Sequence, residues 1–182
     1  MTTRVQPPEA DLRYPIGPFE HIEELSPEQR MRKIAHIKSA PLRLEQAVKG
    51  LHDLQLDTPY RPGGWTIRQV VHHLPDSHLN GYLRMKWALT EDVPTIKPYD
   101  QDAWSALPEA TQAPIDMSLA LLDAVNRRWA HLLLSLTPEQ YQLRLHHPES
   151  GTMTLDCLLA EYAWHGRHHI AQITSLRDRK RW

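Results

Sequence analysis

Twelve histidines stand in this chain of 182 residues, and six of them fall in two short windows, His72–His78 and His165–His169. A neutral imidazole offers one lone pair and is the commonest protein ligand for divalent transition metals. His165 and His169 are four apart, so on a helix they stand one turn above each other on one face. Both rings can then reach a single ion at about 2.0–2.1 Å. Around them, Leu155, Leu158, Tyr162, His165, His169, Gln172 and Leu176 keep an unbroken 3-4 alternation. The pair therefore occupies a core-facing seam, where an apolar residue is expected. Two polar rings inside a bundle need partners; one metal ion serves both, and the competing reading is a pair of hydrogen-bonded core histidines. His168 falls off the seam and Arg167 points outward, so neither is read as a ligand.

A third ligand has to come from another element. The window Val71-His72-His73-Leu74-Pro75-Asp76-Ser77-His78 offers three histidines. On a helical wheel His78 continues the stripe of Ile67, Val71 and Leu74, whereas His73 sits towards its edge. Pro75 can disturb the local register, so periodicity leaves the choice open. Cys157 is the only cysteine, so the site must use N and O ligands. With Leu155, Leu158 and Leu159 around it, Cys157 reads as a small core residue.

Four helices are expected to carry these groups. The first opens at Ser26-Pro27-Glu28-Gln29, with an N-cap serine, proline at the first helical position and glutamine closing a capping box. Ile34, Ile37, Leu44, Val48 and Leu51 follow at 3-4 spacing, with Pro41 set to bend the helix or offset its start and Gly50 weakening its end. The second opens on another capping box, Thr66-Ile67-Arg68-Gln69, and should run to about Thr90. The third covers about Asp116 to Ser135, with Leu122, Val125, Trp129, Leu132 and Leu136 on one seam. The fourth runs from near Thr154 to about Arg179. Strand signals are nearly absent, and no run alternates with period 2. The fold expected is an all-α four-helix bundle in a single domain spanning 1–182, with 1–25 an extended N-terminal segment and 26–182 the bundle. About 25 residues join helices two and three, including Pro94, Pro98, Pro108 and Pro114. Extended, they reach roughly 80 Å, more than twice the roughly 33 Å of a 22-residue helix, which permits an up-down-down-up order.

Composition narrows the function classes. Hydrophobic residues make up 41% and charged residues 24%, with a formal charge of −1. So neutral a chain gives no reason to expect nucleic acid or an acidic membrane as partner. No stretch approaches the roughly 20 apolar residues of a membrane span, and the polar, proline-bearing start MTTRVQPPEADLRYP does not read as a signal peptide. A cytoplasmic location is the expectation. The basic tail Arg177-Asp178-Arg179-Lys180-Arg181 reads as a solvated helix end complementing the macrodipole.

Gly63-Gly64-Trp65-Thr66-Ile67-Arg68-Gln69-Val70-Val71-His72-His73-Leu74 with Asp76-Ser77-His78 resembles the helix-two motif of the DinB/YfiT-like superfamily. The resemblance is greatest to its YfiT-type metal-dependent hydrolases, which are also grouped with bacillithiol-transferase-like proteins. Tyr14-Pro15-Ile16-Gly17, Lys97-Pro98-Tyr99-Asp100 with Ala103-Trp104, and Trp164-His165 through His168-His169-Ile170-Ala171 agree in family order. The resemblance implies an up-down-down-up bundle and a homodimer. It also implies a metal held by His73, the first residue of a His-x-x-Asp motif completed by Asp76, and by His165 and His169. Pro75 departs from the pattern, where a small helix former is usual, and Gln172 fills a polar position that the family fills variously.

Three histidines without a fourth protein ligand resemble a catalytic site with an open position. Zn²⁺ is the ion expected first, with Ni²⁺ the other candidate. Hydrolysis of a small-molecule substrate by a metal-bound water is the first reaction expected, with Asp76 either orienting a ligand, accepting a proton or simply serving a solvated face. The alternatives are S-transfer of a small thiol (bacillithiol, mycothiol or glutathione) and a metal-binding module without catalysis. Tyr99, Asp100 and Trp104 in the long loop, with Gln172, are candidates for the pocket wall, although the loop residues would equally serve as anchors. Trp65 reads as a staple in front of its helix.

Overall fold

The computed structural model describes residues 11–182. Its elements in chain order are α1 (Pro27–Val48), α2 (Asp53–Leu56), α3 (Ile67–Thr90), α4 (Gln101–Ser105), α5 (Pro108–Gln112), α6 (Ile115–Ser135), β1 (Arg144–His147), β2 (Gly151–Thr154) and α7 (Leu155–Lys180), with one 3₁₀ turn at Gln140–Gln142. The long helices α1, α3, α6 and α7 form the bundle. Residues 1–10 of the expected N-terminal segment lie outside the described residues. Residues 11–25 carry no helix or strand, and they bind α7 through Leu25 N–H to Asp156 (3.0 Å), Gly17 C=O from Trp164 Nε1 (3.1 Å) and Arg13 C=O from Gln172 (3.2 Å).

Cross-helix contacts fix the direction of each helix. Arg30 meets Asp156 and Ala47 meets Arg177, so α1 and α7 run parallel. His72 meets Ser118, His78 meets Asn126 and Met85 meets Trp129, so α3 and α6 run parallel too. His73 meets His165 while Arg84 meets Tyr162, so α3 opposes α7. The order is up-down-down-up, with residues 91–114 making the long return.

Both capping boxes close as the sequence dictates. Ser26 accepts from Gln29 N–H and Thr66 from Gln69 N–H, and each glutamine side chain bonds back to the cap. Neither internal proline breaks its helix. Pro41 cannot donate to the carbonyl four residues earlier, which belongs to Ile37; that carbonyl instead accepts from Asn126 Nδ2 on α6 at 2.8 Å. α1 stops at the turn where Gly50 takes φ +79°, a left-handed conformation that glycine adopts without steric cost.

The hairpin β1–β2, like the short helices α2, α4 and α5, is an element that the sequence pattern did not foretell. Its strands pair antiparallel with Leu145 opposite Met153, both buried. Four residues are too few for a period-2 signal to emerge. Ile96 N–H donates to His146 C=O and His146 N–H to Pro94 C=O, which ties the long return to the hairpin. Arg68, nearly buried, pairs with Asp53 and Asp57 and donates to Ala113 C=O, fastening the loops at the other end.

Two apolar clusters fill the interior. One gathers Ile34, Ile37, Met85, Trp129, Leu155 and Leu158, and the other Leu44, Val48, Val70, Leu74, Leu122 and Ile173. Cys157 belongs to the first, 1% exposed, with its thiol pushed up by burial. In the basic tail Asp178 to Arg181 are exposed, while Arg177 is half-buried and caps the end of α1 through the Ala47 and Lys49 carbonyls, and Arg179 holds Tyr60 C=O.

Candidate metal centre

Facing turns of α3 and α7 bring His73, His165 and His169 together, with one ligand atom from each lying within 4.8 Å of the others. His73 Nε2 and His165 Nε2 stand 3.2 Å apart. Ligand atoms of a tetrahedral site about 2.0–2.1 Å from its ion are separated by about 3.3 Å, so that pair already has the spacing an ion requires. Burial pushes His73 down to about 3 and, with the neighbouring imidazoles, holds His165 and His169 well below the usual histidine range. The rings are therefore neutral near pH 7, the state in which imidazole ligates.

Hydrogen bonds behind the rings set which nitrogen faces inward. Gln172 Nε2 donates to Arg13 C=O (3.2 Å) and to His168 Nε2 (2.9 Å), which leaves Oε1 to accept from His169 Nδ1–H at 2.9 Å. His169 Nε2 then carries the free lone pair. A matching chain runs through α6. Asn126 Nδ2 donates to Ile37 C=O, so its Oδ1 accepts from His78 Nδ1–H at 2.9 Å and His78 Nε2 is an acceptor. That Nε2 is buried without a partner, and so is His165 Nδ1, the atom left over when His165 Nε2 faces the other two rings. The two ring centres are 6.0 Å apart, about 1 Å beyond the spacing of two directly bonded imidazoles. One lacks a donor and the other an acceptor.

Two cavities open on the cluster, and half-buried His165 lines both. The first, about 550 Å³, is polar, with Ser77, Arg84, Tyr99, Glu161 and Tyr162 in its wall and the hairpin residues His147 and Glu149 at its rim. The second, about 480 Å³, lies between Tyr14, Tyr60, Trp65 and Gln172. Trp65 is more than a staple: its ring centre is 4.7 Å from that of His73, it stacks on His169, and its Nε1 donates to Asp102 at 3.2 Å.

The remaining residues singled out in the sequence fall in different places. Tyr99 and Asp100 line the first cavity, but the Asp100 carboxylate is engaged in capping α4 through Asp102 N–H and Ala103 N–H. Trp104 packs on Tyr99 with ring centres 4.4 Å apart and lines neither cavity. Asp76 is half-buried and raised to about 6 by burial and the charge of Glu109, and it too lines neither cavity. His168 is 5% exposed and held by Gln172, so it is a buried neighbour of the cluster and not a surface residue. Sequence reasoning misses Arg84 and Glu161, and has Tyr162 only as a member of the helix seam. Glu161 precedes His165 by one turn, a spacing visible in the sequence, yet a charge on a long helix ordinarily marks a solvated face.

The DinB superfamily pattern matches residues 36–173. A relative from Bacillus mycoides (strain KBAB4), named "Putative metal-dependent hydrolase", is 51% identical over 172 residues, covering 94% of this chain and 99% of its own; one of the same name from Bacillus cereus (strain B4264) matches to the same extent. This chain belongs to the DinB superfamily. YfiT from Bacillus subtilis, described as a probable metal-dependent hydrolase with an unusual four-helix bundle topology, superposes with a TM-score of 0.92 at 48% identity, covering 94% of this chain and 98% of YfiT. No helix among the described residues is long and apolar enough to cross a membrane.

Proposed function

We propose that this DinB-superfamily protein is a metal-dependent hydrolase whose single divalent ion, Zn²⁺ first and Ni²⁺ second, is held by the Nε2 atoms of His73, His165 and His169. The observation that carries this is the convergence of three neutral imidazoles on one point beside an open cavity. Such an ion supplies a Lewis acid for a carbonyl and lowers the pKa of water towards neutrality. The protein does the rest. Gln172 holds His169 so that its Nε2 points inward, and His165 turns its Nε2 to the other two rings with its Nδ1 left unpartnered on the side of His78. Glu161 lies in the cavity wall one turn from His165, and its carboxyl is raised by burial. A carboxyl so raised is suited to take a proton from the attacking water and pass it to the leaving group. Asp76 is left without that role because it does not face the cavity.

The competing chemistry, transfer of a small thiol, is favoured by one feature: His165 lies between two cavities, room for a thiol on one side and an electrophile on the other. The test has two stages. Purified protein is analysed for metal, and His73→Ala, His165→Ala and His169→Ala should each lose it while His78→Ala keeps a measurable share; full metal retention in His73→Ala refutes the ligand set. Metal-loaded protein is then assayed on ester and amide panels, and separately with a thiol plus a model electrophile. Metal-dependent thiol consumption without hydrolysis overturns the hydrolase reading.

A further inference from the structure

Arg84 lies on α3 seven residues beyond Ser77, two turns or about 10 Å along the helix. It is 9% exposed, and its Nη1 donates to the Tyr162 hydroxyl at 3.2 Å. Its Nε is buried without any hydrogen-bond partner, and among the described residues no carboxylate lies within ion-pair distance of it. A guanidinium cannot shed its proton, and Glu161 in the same wall offsets the charge only through space, without occupying the guanidinium fork. The other buried arginines among the described residues are paired: Arg30 with Asp156 and Arg68 with Asp53 and Asp57. All three line cavities, but Arg84 alone does so without a carboxylate partner, and its cavity is the one that opens on His165.

We propose that Arg84 is the subsite for a carboxylate on the substrate, so that the molecule hydrolysed is a small carboxylic acid whose scissile group lies at His165 and whose carboxylate lies at Arg84. The inference rests on the metal-centre reading above and adds the substrate class to it. A planar carboxylate matches the guanidinium fork with two parallel N–H···O bonds. The rest of the wall argues for a single such charge. Glu161 and Glu149 share the cavity, and their field opposes a phosphate-rich ligand but leaves room for one carboxylate held against Arg84. Tyr162, buried between Arg84 and His165, fixes the guanidinium and bounds the cavity floor; its ring centre is 5.9 Å from that of His165. The space is about 550 Å³, within the range of small-molecule sites.

The experiment uses dicarboxylic monohydroxamates (succinic, adipic and suberic), each compared with the same molecule ending in a carboxamide and in a phosphonate. The hydroxamate addresses the ion and the far end addresses Arg84. Binding is read by calorimetry on Zn²⁺-loaded and on metal-free protein, so it does not depend on turnover. For at least one chain length, wild type should bind the carboxylate roughly 10- to 100-fold more tightly than the carboxamide. Arg84→Gln should abolish that preference, and Arg84→Lys, which keeps the charge and loses the fork, should retain part of it. Equal binding of carboxylate and carboxamide at every length overturns the proposal, as does a preference that survives in folded Arg84→Gln. Tighter binding of the phosphonate overturns the choice of carboxylate. If instead Zn²⁺ leaves the carboxamide's affinity unchanged, the metal-centre reading fails, and the Arg84 comparison still stands on metal-free protein.

Discussion

Replacing His78 tests the support behind the metal centre without touching a ligand. In His78→Phe an aromatic ring, slightly larger than imidazole, stays among Trp129 and Tyr162, which approach His78 edge-to-face at 6.0 and 5.7 Å. Both of its hydrogen-bonding functions vanish. Asn126 Oδ1 then loses its donor in a fully buried setting, which costs about 1–3 kcal/mol of global stability. Separately, His165 Nδ1, unpartnered in the structure, loses the neighbouring unpartnered His78 Nε2 as the acceptor that an ion bound at His165 would draw it towards. Loss of such an outer partner typically lowers metal affinity 10- to 100-fold, or about 1.4–2.8 kcal/mol. A single neutral hydrogen bond is worth about 0.5–1.5 kcal/mol net, so the lower part of that range is expected. Glutamine separates the two effects, because its amide can donate to Asn126 Oδ1 and its carbonyl can accept from His165. The assay is Zn²⁺ competition against a chromophoric chelator, beside urea unfolding of the metal-free proteins. His78→Phe should bind roughly tenfold more weakly and unfold earlier, and His78→Gln should recover most of both. A folded His78→Phe that binds Zn²⁺ as tightly as wild type would refute the coupling between the two rings.

Three further outcomes follow from the packing. Asp156 is fully buried and accepts from Arg30, Leu25 N–H and Gln142, so Asp156→Ala strands a buried cation and should cost about 3–5 kcal/mol in urea unfolding; a loss below 1 kcal/mol contradicts the assignment. Gly81→Ala puts a methyl 2.5 Å from Tyr162 Cζ and 2.6 Å from Trp129 Cη2, and overpacking should destabilise by about 1–3 kcal/mol despite alanine's better helix propensity; an unchanged or higher Tm would show that the rings yield freely. Asp76 has its folded pKa raised from 3.8 to about 6, so the folded state disfavours its charge, and stability falls as pH rises from about 4 through 6. Asp76→Asn should therefore melt higher than wild type at pH 7–8, with the gap closing as pH drops below 4; a gap independent of pH rules out Asp76 as its source.

The parts of this site that could be read in the sequence are those written in local spacing. His165 and His169 needed only the turn of one helix and a seam that demanded apolar residues. The caps at Ser26 and Thr66 are likewise contained within four residues each. What could not be read depends on elements meeting from far apart. The hairpin is too short to leave a pattern. Arg84 and Glu161 are charges on long helices, and only the packing of α3 against α7 and the hairpin turns their surroundings into a cavity wall. Trp65 looked like a local staple because its second role, covering His73 and His169, needs α7 beside it.

On α3 the helical wheel leans to His78 without deciding, whereas the structure brings His73 beside His165 and His169. A helical wheel ranks positions by how squarely they face the core, and His78 does face it more squarely: it is 0% exposed, whereas His73 is 4% exposed. A metal centre with an open coordination position cannot sit at the centre of the core, because substrate has to reach it. The ring that joins the cluster therefore comes from the edge of the stripe, next to the cavities that His165 lines. The fully inward histidine has no such access, and its chemistry is that of a buried polar group needing partners on both nitrogens. One partner exists because Pro41 leaves the Ile37 carbonyl free for Asn126, whose amide orientation then makes His78 Nε2 an acceptor. A proline that looked like a defect in α1 thus sets a proton position two helices away. The same chain predicts that Pro41→Ala, by restoring a helical donor to Ile37 C=O, competes with Asn126 and weakens Zn²⁺ binding even as α1 gains helix propensity. Tighter Zn²⁺ binding in that variant would break the chain at its first link.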